Sequence, residues 1–504
     1  MFFLDVKIVG IVGGDFMERG FDNKKYIKIQ SKKIKERFKL FDKLYLEIGG
    51  KLFDDYHAAR VLPGFEPDVK INMFKELKDD LEIIFCINAN DIERNKTRAE
   101  YGITYDMEVM RLIDNLVKLG FSINSVVITL YNNQSGVDSF RNKLDRHGIK
   151  TYIHRYTKGY PSDVDTIVSE EGYGVNDYIE TTKKLVLVNA PGPGSGKLAT
   201  CLSQLYHEHK RGINAGYAKF ETFPVWNLPL KHPVNVAYEA ATADLHDVNQ
   251  IDFFHLSEYN ETAVNYNRDL ETFPILKSIL LRITGHDIYK SPTDMGVNTI
   301  KECIIDDEVV RKAAEREIVR RYYQEKVNYK MGEISLDVVD RIKVLMNELN
   351  INENILETIE PALKKSRECN RHVLAIKLPN KKIVTGKESE LLSAPSALII
   401  NAIKTLSKIP DEINLLSPTV LEPILKQRKN NNSPLQLQEV IIALSVCSVT
   451  NPVVEKALSC LDNLKNCEAH ASYIVTNGDK KVLTSLGIRL TCEDKFYSNN
   501  LYYD

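Results

Sequence analysis

The stretch "KKLVLVNAPGPGSGKLATCLSQLYHEHKRG", Lys183 to Gly212, decides how this sequence reads. An apolar run leads into a turn of prolines and glycines, and an amphipathic segment follows Gly196 and Lys197. Strand, glycine turn and helix in that order form a P-loop-like layout. In such a layout the N–H groups left unpaired at the helix start converge on phosphate oxygens, and the helix dipole adds positive potential. Gly192, Gly194 and Gly196 permit close approach and positive φ, Lys197 reaches outer phosphates, and these residues with Ser195 are assigned to a phosphate. Two departures qualify the pattern. Pro191 stands where such loops carry their first glycine, and Leu198 stands where they carry the Ser or Thr that holds magnesium. Thr200 lies elsewhere on the helix. Three readings stay open at this point: a nucleotide such as ATP, with Mg2+ held by other groups; a phosphorylated metabolite bound without Mg2+; and a purely structural turn.

Outward from this stretch the pattern repeats. "KLYLEIGG", "LEIIFCINAN", "SVVITLYN" and "IKTYIHR" read as strands; "NKKYIKIQSKKIKERFKLF", "FKELKDD", "YDMEVMRLIDNLVKLG" and "GVDSFRNKLDRHG" read as helices. This alternation predicts an α/β fold on a largely parallel sheet with helices on both faces. From about Asp294 to Lys365 the strands stop, and "IDDEVVRKAAEREIVRRYYQEKVNYK", "SLDVVDRIKVLMNELN" and "INENILETIEPALKK" predict three successive helices. "HVLAIKLPNKKIVTG" predicts a hairpin turning at Pro379-Asn380, and the rest predicts a smaller C-terminal α/β domain. The expected division is 1–22, an N-terminal extension; 23–290, the phosphate- or nucleotide-binding domain; 291–365, the helical segment; and 366–504, the C-terminal domain. Met17 is the expected start, with residues 1–16 an upstream extension.

Composition narrows the function classes. A chain of 504 residues, 43% hydrophobic and 27% charged, has the make-up of an ordinary globular protein of two or three domains. Its net charge of −2 argues against a nucleic-acid partner, which a basic excess would serve. Eight cysteines without a CxxC pair read as free thiols of a reducing compartment. No apolar run has the length of a bilayer span, so a cytoplasmic chain with no membrane partner is expected.

A second dense stretch, "EIGGKLFDDYHAARVLPGFEPDVK", begins where a predicted strand ends, which is where open α/β sheets place ligand residues. If residues 51–60 are helical, Asp54, His57 and Arg60 share one side. A carboxylate beside an imidazole orients it as a base, so Asp54, Asp55 and His57 are the candidate catalytic or metal-binding groups. Lys51 and Arg60 suit an anionic substrate, and Glu47 completes the group. A surface loop laced with ion pairs is the competing reading. A third stretch, "GYAKFETFPVWNLPLKHPVNVAYEAATADLHDVNQIDFFH", reads as a lid or binding loop, with Lys219 and Glu221 as further substrate-binding candidates near Trp226, Lys231 and His232. Asp244, His246, Asp247 and His255 fit no metal signature, and the metal is left unknown.

"GGKLFDDYHAARVLPGFEPDVK", "NANDIERNKTRAEYGITYD", "YTKGYPSDVD", "VNAPGPGSGK" and "KFETFPVWNLPLKHPVNVAYEAATADL" together resemble the signature blocks of the bacterial family called domain of unknown function 1846, or uncharacterised protein family 0371. The resemblance runs from about Gly20 to the closing blocks "CEAHASYIVT" and "LGIRLTC". It implies a cytosolic multidomain protein of α/β, helical and α/β parts, and it brings no reaction with it. A peptidase reading fails on the residues: "HEHK" is not HExxH, and its histidines do not share a helix face. The expectation is an enzyme binding a nucleotide or other phosphorylated ligand, with phosphoryl transfer or hydrolysis as its chemistry. Its rivals are a non-nucleotide enzyme acting on a phosphorylated metabolite, and a homo-oligomeric interaction protein with a structural turn.

Overall fold

The apolar runs read as strands come together in one parallel sheet. In the computed structural model the described residues are 19–98, 102–220, 223–427 and 433–498, so Met17 and Glu221 lie outside them. The chain forms two compact units that divide between Ala314 and Glu315.

The first unit is built on β1 (Lys43–Ile48), β2 (Leu81–Asn88), β3 (Ser122–Thr129), β4 (Lys150–Ile153), β5 (Leu185–Asn189), β6 (Ala215–Phe220) and β7 (Gly296–Val297). Their spatial order is β7-β6-β1-β5-β2-β3-β4, and every neighbouring pair is parallel. Parallel strands need crossovers, and the crossovers are helices that cover both faces, which is why β1 and β5 are buried along their whole length. Alternation sorts the side chains. Leu44, Leu46, Phe85 and Leu187 join a core with Ile34, Phe74, Leu112 and Phe140 on one face. Tyr45, Cys86, Val186 and Val188 join Cys201, Leu205, Tyr217 and Phe273 on the other. Each such Leu, Ile or Phe contributes roughly 1.5–3 kcal/mol on burial.

Strand order also fixes where a ligand crevice falls. β2, β3 and β4 step outward to one side of β5, and β1, β6 and β7 lie to the other, so the strand order divides at β5, beyond whose carboxyl end open α/β sheets place their ligands.

The second unit holds the predicted hairpin, β8 (Val373–Lys377) and β9 (Ile383–Lys387), in an antiparallel pair. It turns through Lys381, which has φ +66°, with the Asn380 side chain accepting from the Lys382 N–H at 3.1 Å. β10 (Glu468–Ala471) and β11 (Arg489–Cys492) complete a sheet of order β9-β8-β10-β11. The helix Ala394–Ser407 lies so close that a side chain at Gly386 would run into the backbone of Leu398. Fold class is therefore α/β, with a second, smaller sheet-and-helix domain.

Candidate functional site

Pro191 to Gly196 connects β5 to the helix Lys197–Lys210 at the centre of the sheet. Gly194 and Gly196 have φ of +73° and +81°, a region that side chains with a Cβ rarely enter. Gly196 is the cap of the helix and provides no side-chain cap, so the helix begins with N–H groups aimed past the turn. The turn is supported from neighbouring strands. The Thr129 hydroxyl donates to the Ser195 carbonyl at 2.8 Å, and a Cβ on Gly196 would lie 2.8 Å from Thr129. The Asn88 amide donates to the Gly194 carbonyl at 3.3 Å, and the Ser195 hydroxyl turns inward to the Gly192 carbonyl at 2.9 Å. A Cβ on Gly192 would sit 2.5 Å from the Tyr105 hydroxyl, and Lys96 lies over that tyrosine's ring at 4.9 Å.

Asn189, the last residue of β5, is 3% exposed. Thr200 does not face the turn. It is fully buried and accepts from the Cys86 thiol at 3.4 Å. Burial pushes the Cys86 thiol up to about 12 and the Cys201 thiol well above its ordinary value. Glu47 raises both thiols further and Lys197 pulls them down.

Glu47 and Lys219 stand on the neighbouring strands β1 and β6. They are direct partners across β1 and β6. The Tyr217 hydroxyl donates to Glu47 at 2.7 Å, while the Lys219 ammonium donates to both oxygens of Asp269 at 3.2 Å. Burial works against charge on Lys219, but Asp269 and then Glu47 outweigh it and hold the ammonium above its usual range.

The predicted helical alignment of Asp54, His57 and Arg60 does not form. The helix starts at Tyr56 and ends at Val61, with Asp55 as its cap and Asp54 in the left-handed region at φ +54°. Asp55 accepts from the Ala58 N–H at 3.1 Å and from the buried Lys70 ammonium at 2.8 Å. Burial would raise its carboxyl, but Lys70 outweighs that and its pKa falls below the ordinary value. Asp54 turns instead to Arg111, 3.6 Å away, and Arg111 clamps Glu108 in a two-pronged bond. His57 packs edge-on against Tyr238 at 4.8 Å. Lys51 and Arg60 are half-buried at this end of the sheet.

The remaining signals resolve into structural duties. His232 accepts the Val234 N–H on Nδ1 and donates from Nε2 to Asp307 at 2.9 Å. Trp226 donates to the Asn298 carbonyl at 3.3 Å. Cys467 and His470 go to different partners, the thiol to the Asn463 carbonyl and the imidazole to the Thr491 hydroxyl. Among the described residues no group of three or more His, Cys, Asp or Glu side chains could hold a metal. None of the described helices is long and apolar enough to cross a membrane. Asn88, Tyr105 and Thr129 are the groups around the turn that spacing alone did not reveal.

Comparison with known sequences bears on this arrangement as a whole. The profile "Domain of unknown function DUF1846, N-terminal" matches residues 19–350, and its C-terminal counterpart matches 354–502. A UPF0371 protein of Clostridium tetani (strain Massachusetts / E88) is 53% identical over 501 residues, covering 97% of this chain and 100% of that protein. Relatives of the same name from Fusobacterium nucleatum and Clostridioides difficile are 54% and 53% identical over the same shares. Every stretch around the turn falls inside the N-terminal match, and the chain belongs to the DUF1846, or UPF0371, family.

Proposed function

We propose that this chain is an enzyme that binds the phosphate of a small phosphorylated ligand at the Gly192–Lys197 turn. One observation carries the reading: a glycine turn with two left-handed residues opens an uncapped helix at the divergence point of a parallel sheet. In this reading the backbone N–H groups and Lys197 hold the phosphate, Lys219 adds positive charge, and Glu47 accepts a hydrogen bond from the ligand. Such an inventory suits phosphoryl transfer or hydrolysis, which depends on positioning and charge stabilisation.

A phosphorylated metabolite bound without Mg2+ is favoured over a magnesium nucleotide. Leu198 has no hydroxyl for the ion, and the Thr200 hydroxyl is engaged with Cys86. A thermal-shift screen with ATP, GTP and sugar phosphates, each with and without Mg2+, separates the two. Ligand at a hundred times its dissociation constant adds about 2.7 kcal/mol to folding stability. A magnesium-independent shift with a sugar phosphate, lost in Lys197→Ala, supports the favoured reading. A shift that needs Mg2+ and a nucleotide supports the other, and no shift with any phosphate compound removes both.

A further inference from the structure

The free side of β4, the edge strand of the parallel sheet, carries an open groove of about 500 Å3. Half-buried Arg141, from the helix Gly136–Arg146, lines it with Thr151, Tyr152 and Tyr178. Asp145, Lys150 and Glu180 stand exposed around them. Among the described residues the buried Nε of Arg141 has no hydrogen-bond partner. Glu180 pairs with Lys150 at 3.9 Å instead. A buried charged donor without an acceptor is a cost that folding does not normally retain.

The backbone beside Arg141 is open at Thr151. The His154 N–H donates to the Ile128 carbonyl at 2.9 Å, so His154 and, by alternation, Tyr152 turn their backbone groups into the sheet, while Thr151 and Ile153 turn theirs outward. Asp177 closes off Ile153: its carboxylate accepts the Ile153 N–H at 2.8 Å, and its own N–H donates to the Ile153 carbonyl at 3.3 Å. On the other side the Ile149 N–H turns back to the Leu144 carbonyl at 3.0 Å. The Thr151 N–H and carbonyl are left facing the groove, without a partner among the described residues.

We infer that this groove binds a free α-amino acid. The ligand's carboxylate takes the Arg141 guanidinium and the Thr151 N–H, and its ammonium takes the Thr151 carbonyl and the Asp145 carboxylate. One open N–H and one open carbonyl match the main chain of one residue, and the closed positions on either side leave no ladder for a longer peptide. The acidic groups at the groove disfavour a phosphate dianion, whereas an amino acid brings a cation to meet them. The site lies three strand spacings from β5, roughly 14 Å, so it is separate from the glycine turn and does not rest on the phosphate reading.

The test is calorimetric titration of the purified full-length chain with the proteinogenic L-amino acids, one at a time at millimolar concentration. For one that binds, the N-acetyl form lacks the ammonium and the amide form lacks the carboxylate, and each should bind about tenfold more weakly or worse. Arg141→Gln should weaken the amino acid by a similar factor while the unliganded thermal midpoint holds, because no internal hydrogen bond is lost. Asp145→Asn should weaken the amino acid and spare its N-acetyl form, and Lys197→Ala should change neither. Binding of no amino acid overturns the inference, and so does unchanged affinity in Arg141→Gln. Equal binding of the N-acetyl form, or inorganic phosphate binding that Arg141→Gln abolishes, makes the groove a bare anion site and overturns it too. A peptide blocked at both ends that binds more tightly than any free amino acid overturns it in favour of strand docking. Should Arg141→Gln not fold, Arg141→Lys, which keeps the charge and loses the planar fork, decides by the same comparison.

Discussion

The helix Lys197–Lys210 has two ends built on opposite rules. Its far end is saturated: Glu208 accepts from the Lys43 ammonium at 2.8 Å and from the Tyr45 hydroxyl at 2.7 Å. Gln204 closes the set, donating to the Tyr45 oxygen at 3.0 Å and to the Ile179 carbonyl at 2.9 Å, and accepting the Ile179 N–H at 3.0 Å. Each buried polar group there has its partner inside the protein. The near end, at the glycine turn, holds a helix start without a side-chain cap. One end is finished by folding alone. The other, in the proposed reading, is finished by the ligand's phosphate.

Four substitutions press on that contrast. Glu208→Ala has the largest expected effect, because it strands the Lys43 ammonium; about 3–5 kcal/mol of stability should be lost in urea unfolding, with ligand response intact in the fraction that stays folded. Equal damage to ligand binding at native temperature would mean that the two ends are coupled. Gly196→Ala comes next. Its backbone is left-handed and Thr129 occupies the space a Cβ needs, so about 1–3 kcal/mol should go, along with the thermal shift produced by phosphate compounds.

The Asp55–Lys70 pair gives a smaller effect that depends on pH. Asp55 has a lowered pKa when folded, so the unfolded chain takes up its proton first as pH falls. Its stabilisation is complete above the unfolded value of about 3.9 and disappears as pH drops through the lower folded value. Acid unfolding of Asp55→Asn should therefore lose part of its steepness below that pH, and an unaltered acid transition would contradict the assignment. Thr200→Val should change least. Among the described residues its hydroxyl meets only Cys86, so stability should fall by no more than about 1 kcal/mol and ligand response should not move, with or without Mg2+. A lost magnesium response would put Thr200 back into the site.

The parallel sheet was legible because its strands are continuous apolar runs and its helices have amphipathic spacing, both local signals. The glycine turn was legible for the same reason. Its supports were not. Thr129 and Asn88 come from strands far away in sequence, and Tyr105 begins another helix, so only the strand order brings them to the turn. The stretch after Gly50 was misread in one respect. A run of "DDYH" also fits a cap followed by a helix start, and Asp55 takes the cap while Asp54 is twisted out of line. Spacing by threes predicts a shared face only when the backbone is helical throughout.

The two thiols beneath the turn have a practical consequence. Cys86 and Cys201 are fully buried and held as neutral thiols, and an alkylating agent reacts with thiolate. In the native state iodoacetamide can reach them only when the centre of the sheet opens. Their labelling rate is therefore a clock for that opening, and a ligand seated on the turn should slow it by the factor its binding energy sets.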